Sequence, residues 1–386
     1  MASDIFYVSI DIGTNKTTVL LAEERDGKLS IFGHATGKSQ GVEKGLIYDQ
    51  EKVSKVIASV KKEAQLSCKT HISSVITNIA DPDIKIFNRN PSTYIISGNI
   101  SQRDIDSITT IALSTKKNNE QMVGFVHQYF TLDNRLSIRE VTHILGMRAD
   151  KLELSLFVFI TCNHTVNIIG SILGSQELYL ADILPNAMAS CSVILNQYQK
   201  DKGVCVIDIG AGTTDIAVFI DGDIAYITSL QVAGKWVTYD ISDELDLTFE
   251  EAEQIKIESS EPHINLISKS YEKIFLMVKN KLEEKGLYTL LIKESTAGFI
   301  LTGGGSKFKD CAKLMTECIG RRSRIGQIDS DLFSLNNDDL SAPEYSCALG
   351  LLLYQRDKFK QLDCIKQPKR KLRHWIAKYN PINLFF

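Results

Sequence analysis

Two short stretches half a chain apart carry the residues best suited to holding a phosphate. Residues 11–18 read D-I-G-T-N-K-T-T, and residues 208–215 read D-I-G-A-G-T-T-D. In each, an apolar strand ends in Asp-x-Gly and reverses through Gly and Thr into a second strand. Such a reversal turns backbone N–H groups into a small concavity that binds phosphate oxygens, and glycine lets the chain approach closely. Gly13, Thr14 and Asn15 would form the first cradle, with Lys16 adding charge. Gly210, Gly212, Thr213 and Thr214 would form the second. Asp11 and Asp208 stand where a hydrated magnesium ion bridging the phosphates would meet them. One copy is weak evidence, because Asp and Gly commonly close hairpins. The repeat is stronger: the two aspartates lie 197 residues apart in a chain of 386.

The elements that position these loops repeat too. After the second strand each half has an Asp-Gly turn, at Asp26-Gly27 and Asp221-Gly222, and then a third strand. Asp-Gly between β-rich runs predicts a hairpin. In the first half a helix follows over Asp49–Leu66, with Val53, Val56, Ile57 and Val60 at helical spacing, and then a strand over Ser74–Ile79. In the second half, helical stretches within 238–285 lead to a strand at Gly298–Thr302 and a helix starting near Lys307. The expected fold is α/β, in two related lobes whose sheets are covered by helices. Between that strand and helix, Gly303, Gly304, Gly305 and Ser306 fit a turn against which a base or ribose can press. Residues 80–160 break the pattern. They hold a helix candidate (Gln102–Thr115) and strand candidates (Gly124–Leu132, Leu152–Thr161), and read as a small module inserted into the first lobe.

Composition sets the limits. The chain is 44% hydrophobic and 24% charged, with formal net charge −3, which suits a folded protein without affinity for nucleic acid. No run is long and apolar enough to span a bilayer, and the N-terminus does not read as a signal peptide. The eight cysteines include no C-x-x-C pair and are expected to be small core residues in a reducing cytosol. The charge is uneven, however. Residues 366–386 hold six Lys/Arg and no acid, leaving 38 basic against 47 acidic residues elsewhere, a net of −9.

That basic end has its own pattern. Residues 357–370 are polar enough for a linker. Leu372, Trp375, Ile376 and Tyr379 then fall on one helical stripe, with Lys369, Arg370 and Arg373 off it or just before it, and Leu384, Phe385 and Phe386 follow Pro381. A helix of about ten residues is marginal in water and needs a surface. Trp and Phe beside basic residues favour an anionic lipid interface. Burial of each large side chain would contribute about 1.5–3 kcal/mol, and each basic residue about 1 kcal/mol.

With these motifs in order, the sequence resembles the actin/Hsp70/sugar-kinase superfamily: two phosphate motifs, an adenosine motif (T-G-G-G-S) and two connecting helices at Leu184–Leu195 and Ala342–Leu353. Within it the chain is similar to the bacterial cell-division family FtsA, through D-I-G-T-N-K, G-V-E-K-G-L-I-Y-D at 41–49, H-I-S-S-V at 71–75 and V-C-V-I-D-I-G-A-G-T-T-D-I-A-V at 204–218. The resemblance implies an actin-like two-lobe ATPase fold with an FtsA-type 1C insert and a C-terminal amphipathic helix. Its subdomains would be 1A (1–82 with 161–203 and 343–360), 1C (83–160), 2A (204–231 with 296–342), a shortened 2B (232–295) and a linker with tail (361–386). It implies ATP and magnesium, with Gly234, Glu253 and Lys256 near the ribose and base. It further implies polymerisation at the cytoplasmic face of the inner membrane at the division site, tethering of the tubulin-like protein FtsZ, and recruitment of later division proteins through 83–160. The alternatives in the same superfamily are a PilM-like pilus-assembly protein and a small-metabolite kinase. Residues 258–271 have no counterpart to the family's usual adenosine wall. Glu177 and Asp182 match no catalytic pattern, and only Asp208, through magnesium, is placed to orient a water. The expected hydrolysis is therefore slow or negligible.

Overall fold

The computed structural model describes residues 6–114, 119–139, 141–259, 261–335 and 337–363. Two five-strand arrangements carry the repeat. In the first, neighbouring strands run Tyr179–Pro185, Ser74–Ile79, Phe6–Ile12, Lys16–Arg25 and Lys28–Lys38, with Phe333–Ser334 added at the edge. In the second they run Ser323–Ile325, Gly298–Thr302, Val204–Ile209, Thr214–Ile220 and Asp223–Leu230. Each has two parallel pairings followed by two antiparallel ones. The half-chain repeat is thus a repeat of topology.

Both Asp-Gly turns form as the sequence predicts. Asp26 and Gly27 have φ of 50° and 79°, and Asp221 and Gly222 have 53° and 87°. Two consecutive left-handed residues match the right-handed twist of the flanking strands. The helix Gln50–Cys68 begins at Asp49, whose carboxylate accepts from Lys52 N at 3.1 Å, and it buries Val53, Ile57, Val60 and Ala64 against the first sheet. A third, antiparallel sheet is built on the long strands Glu120–Leu132 and Lys151–Cys162. With the helix Gln102–Leu113 it encloses its own core around Ile105, Ile108, Phe130 and Leu154.

Boundaries differ from the sequence reading at several points, and the second connecting helix starts at Ser346 rather than Ala342. Leu184 and Pro185 complete a strand, so the first connecting helix starts at Asn186. The helix expected near Lys307 starts at Cys311, because Gly304–Lys307 form a 3₁₀ turn instead. The helix Ser346–Asp363 also absorbs residues expected in the linker. Tertiary contacts hold it: Phe359 packs on Tyr7 with ring centroids 5.7 Å apart, and Lys358 pairs with Asp182. The tail expected to face lipid, from Lys369 to Phe386, lies outside the described residues. Among the described residues, no helix is long and apolar enough to cross a membrane.

The helices Asn186–Ile194 and Ser346–Asp363 cross between the lobes at Ala189 and Gly350, where a Cβ on Gly350 would overlap the Ala189 carbonyl. Ser192 Oγ donates to Gly350 O at 3.4 Å beside the crossing.

Candidate nucleotide cleft

The two Asp-x-Gly loops face each other across a cavity of about 420 Å³. Each is closed by the same bond, Gly13 N to Lys16 O at 3.0 Å and Gly210 N to Thr213 O at 2.9 Å. They nearly touch: a Cβ on Gly212 would lie 2.9 Å from Thr14 Cβ. The hairpin Val42–Glu43/Leu46–Ile47 bridges the lobes beside them. Gly45 N donates to Thr14 Oγ1 at 3.2 Å, and Lys235 Nζ pairs with Glu43 at 2.9 Å. The G-V-E-K-G motif therefore does structural work at the mouth of the cleft that its sequence does not announce.

Three carboxylates lie on the cleft floor. Asp11 accepts from Asn78 Nδ2 at 2.8 Å, and the same amide donates to Asn186 Oδ1 at 3.0 Å. Asn186 Nδ2 in turn donates to Asp215 Oδ2 at 3.1 Å, so one chain of amides joins an aspartate of each lobe. Asp208 is cross-strand partner to Asp215 and accepts from Ser190 Oγ on the first connecting helix. Burial raises all three carboxyls, Asp11 to about 6, Asp208 to about 7 and Asp215 to about 6. Repulsion from Asp215 raises the other two further, while Lys16 pulls Asp11 back.

Lys16 supplies the opposite charge. Its ammonium sits 3.4 Å over the Tyr345 ring and 3.7 Å from Glu344, which is itself held by Lys307 at 2.7 Å. Lys16 Nζ is buried, makes no hydrogen bond, and is lowered in pKa by that burial. A buried ammonium with unused donors is costly unless an anion meets it. Across the cleft, Gly303 has φ of 82°, and a Cβ there would lie 2.5 Å from Ile209 O. Only glycine fits between the adenosine-motif turn and the second loop.

The far wall comes from the helices Gly234–Leu245, Phe249–Glu258 and Ile264–Glu284. Lys256 Nζ pairs with Glu253 at 2.6 Å and donates to Gly234 O at 3.0 Å, so all three line the cavity as one unit. The gap expected over 258–271 is filled. Tyr271 donates to Gly305 O at 2.9 Å and stacks on Phe308, with ring centroids 5.0 Å apart.

Asp11, Gly13, Thr14, Asn15, Lys16, Asp208, Gly210, Gly212, Thr213, Gly234, Glu253, Lys256 and Gly303–Gly305 all line the cavity. Thr214 and Ser306 do not. Thr214 Oγ1 donates to Val232 O at 2.7 Å and Ser306 Oγ to Gly303 O at 2.7 Å, so both hold the loops from behind. Asp215, Asn186 and Tyr271 line it without having been singled out in the sequence. A triphosphate with magnesium suits these residues: the Lys16 ammonium has unused donors for an anion, the carboxylates offer oxygens to a hydrated cation, and Gly304, which meets only Glu344 Cβ at 3.8 Å, leaves a planar group room to approach.

The carboxylates make a pH prediction for the ligand-free protein. Their folded pKa values exceed the unfolded value of about 3.9, so the folded state holds more protons across the interval between. Stability should fall as pH rises from about 4 to about 7, and Asp208→Asn should flatten that slope. Thermal melts across pH test it; a midpoint that rises with pH over this window contradicts it.

Comparison with known proteins agrees with this geometry. Residues 205–350 match the family model described as cell division protein FtsA. The cell division protein FtsA of Pseudomonas aeruginosa is 30% identical over 91% of this chain and 89% of its own length. Among solved structures, a chain of the PilM-PilN type IV pilus biogenesis complex superposes with a TM-score of 0.63 at 14% identity, covering 94% of this chain and 99% of that one. MreB5 of Spiroplasma citri bound to AMPPNP gives 0.56 at 14% identity, covering 93% and 98%. These likenesses establish an actin-like fold. At this identity and coverage, the chain belongs to the FtsA family of cell division proteins.

Proposed function

We propose that this FtsA-family protein binds ATP with magnesium between its lobes, polymerises at the cytoplasmic face of the bacterial inner membrane, and tethers FtsZ filaments there at the division site. The observation that carries the reading is the pair of matched loops around a buried Lys16 ammonium that makes no hydrogen bond and three buried carboxylates. Gly13–Lys16 and Gly210–Thr213 would take the phosphates, and Asp11 and Asp208 would hold magnesium through water. Glu253, Lys256, Tyr271 and Gly303–Gly305 would enclose the ribose and base. Magnesium would neutralise phosphate charge when bound. The protein's own groups hold the lobes together beside the loops, through Lys235 of the second lobe on Glu43 of the first.

Slow turnover fits the amide chain. Asn186 uses both ends of its side chain on Asn78 and Asp215, and Asp182, an acid of the first connection, pairs with Lys358. Asp182 is thus not left to activate water, and nucleotide acts here as a closing ligand. Self-association, the 83–160 module as the contact for later division proteins, and the tail from Lys369 to Phe386 as the lipid anchor complete the proposal. Hydrophobic and basic side chains in that tail give each copy reversible affinity, which a polymer multiplies.

Co-sedimentation with anionic vesicles tests it. FtsZ polymers should pellet with vesicles only when this protein and ATP are present, and deletion of 366–386 should lower the bound fraction by about tenfold or more. Equal recruitment by the truncated chain would overturn the anchor.

A further inference from the structure

A second cavity of about 180 Å³ lies back to back with the cleft. The helix Asn186–Ile194 is the wall between them. Asn186 and Ser190, one turn apart, reach the cleft carboxylates, whereas Met188 and Cys191 line the second cavity. The other walls come from three sources: Phe125 and His127 of the inserted sheet, Phe219 of the second lobe, and the C-terminal helix.

Its polar groups are unevenly matched. Lys358 is taken by Asp182, Asp357 is held by Arg356 at 2.7 Å, and Asp201 accepts from Gln197 at 2.7 Å. Among the described residues Lys200 has no carboxylate within ion-pair distance, Asp201 and Asp357 acting on it only from farther away; its ammonium lies 5.5 Å from the Phe219 ring centroid. Arg139 adds positive potential at both Lys200 and His127. His127 Nε2 is buried without a hydrogen-bond partner. The cavity therefore offers one cation outside any described ion pair, one unused imidazole nitrogen and an apolar lining from Phe125, Met188 and Phe219. That combination suits a monoanion with a compact apolar body, and the Asp357 carboxylate in the lining disfavours a phosphate dianion. At about 180 Å³ it is smaller than the roughly 300–1,000 Å³ of drug-sized sites.

We propose that this cavity binds a small aryl or alkyl carboxylate, with Lys200 taking the charge and His127 Nε2 donating a hydrogen bond to the carboxylate. Because the site shares a helix with the cleft floor, its occupant packs against the element that orients Asp208 and Asp215.

Fluorine NMR titration of 4-fluorophenylacetate into the full chain, with and without saturating ATP and magnesium, tests this. Binding should be saturable in the low-millimolar range or tighter and should persist with ATP. Lys200→Gln, and Met188→Phe as a separate filling variant, should each weaken it by about tenfold or more, as should the neutral probe 4-fluorophenylacetamide. Absence of saturable binding, displacement by ATP, or equal binding by both variants and by the amide would each overturn the proposal.

Discussion

Lys16→Ala should weaken ATP binding by roughly 100-fold while leaving the ligand-free protein as stable as before, or more so. The two effects separate because Lys16 is paired so poorly without ligand. Its ammonium is buried, makes no hydrogen bond, and stands 3.7 Å from a glutamate already engaged by Lys307. Removing it takes away a desolvated charge and costs a cation–π contact with Tyr345. With triphosphate in the cleft the balance reverses, since truncating one partner of a buried charge pair costs about 2–5 kcal/mol. A merely structural lysine would show the opposite split, with a lowered melting temperature and little change in affinity. Titration calorimetry and thermal melts on the same samples distinguish the two.

Gly350→Ala should be the most damaging single methyl addition outside the cleft. The added carbon would overlap the Ala189 carbonyl, which is backbone of the crossing helix and cannot rotate away. The helices would have to part, and overpacking of this kind costs about 1–3 kcal/mol or more. The same helix carries Ser346, whose hydroxyl lies 3.0 Å from Thr302 and 3.3 Å from Ser190, the residue that donates to Asp208. Separation should therefore weaken nucleotide binding as well as stability. Gly170→Ala is the control: this glycine is helical with nothing near its Cβ position, so alanine there should be neutral or stabilising by about 0.5–1 kcal/mol. Parallel heat denaturation decides it; equal midpoints for the two variants would contradict the close crossing.

The two lobes and both loops were legible because a repeated motif carries its own control. Asp11 pairs with Thr18 and Asp208 with Asp215 at the same place in each hairpin. Asp215 stands in the same motif, where strand alternation puts Thr213 and Asp215 on one face and Thr214 on the other. Applying the period of two would have moved Thr214 out of the site. Asn78 and Asn186 gave no such signal. Each is a lone amide at the end of a strand or the start of a helix, and its importance arises only when Asp11 and Asp215 are brought to either side. Tyr271 was hidden for another reason. It lies 34 residues before Gly305 on a helix whose apolar spacing reads as ordinary core, and only the fold swings its hydroxyl to the adenosine turn. The extension of the last helix to Asp363 was obscured by its polar sequence, because Lys358 and Phe359 find their partners across the first lobe.

The central claim is that the paired loops form one magnesium-dependent ATP site. Calorimetric titration of ATP into the full chain, with magnesium and then with magnesium chelated, tests it most directly for the wild-type protein and Lys16→Ala. The account predicts saturable binding at one site per chain, weakened by chelation and reduced roughly 100-fold in the variant. No saturable binding, or an isotherm indifferent to both magnesium and Lys16, would contradict it.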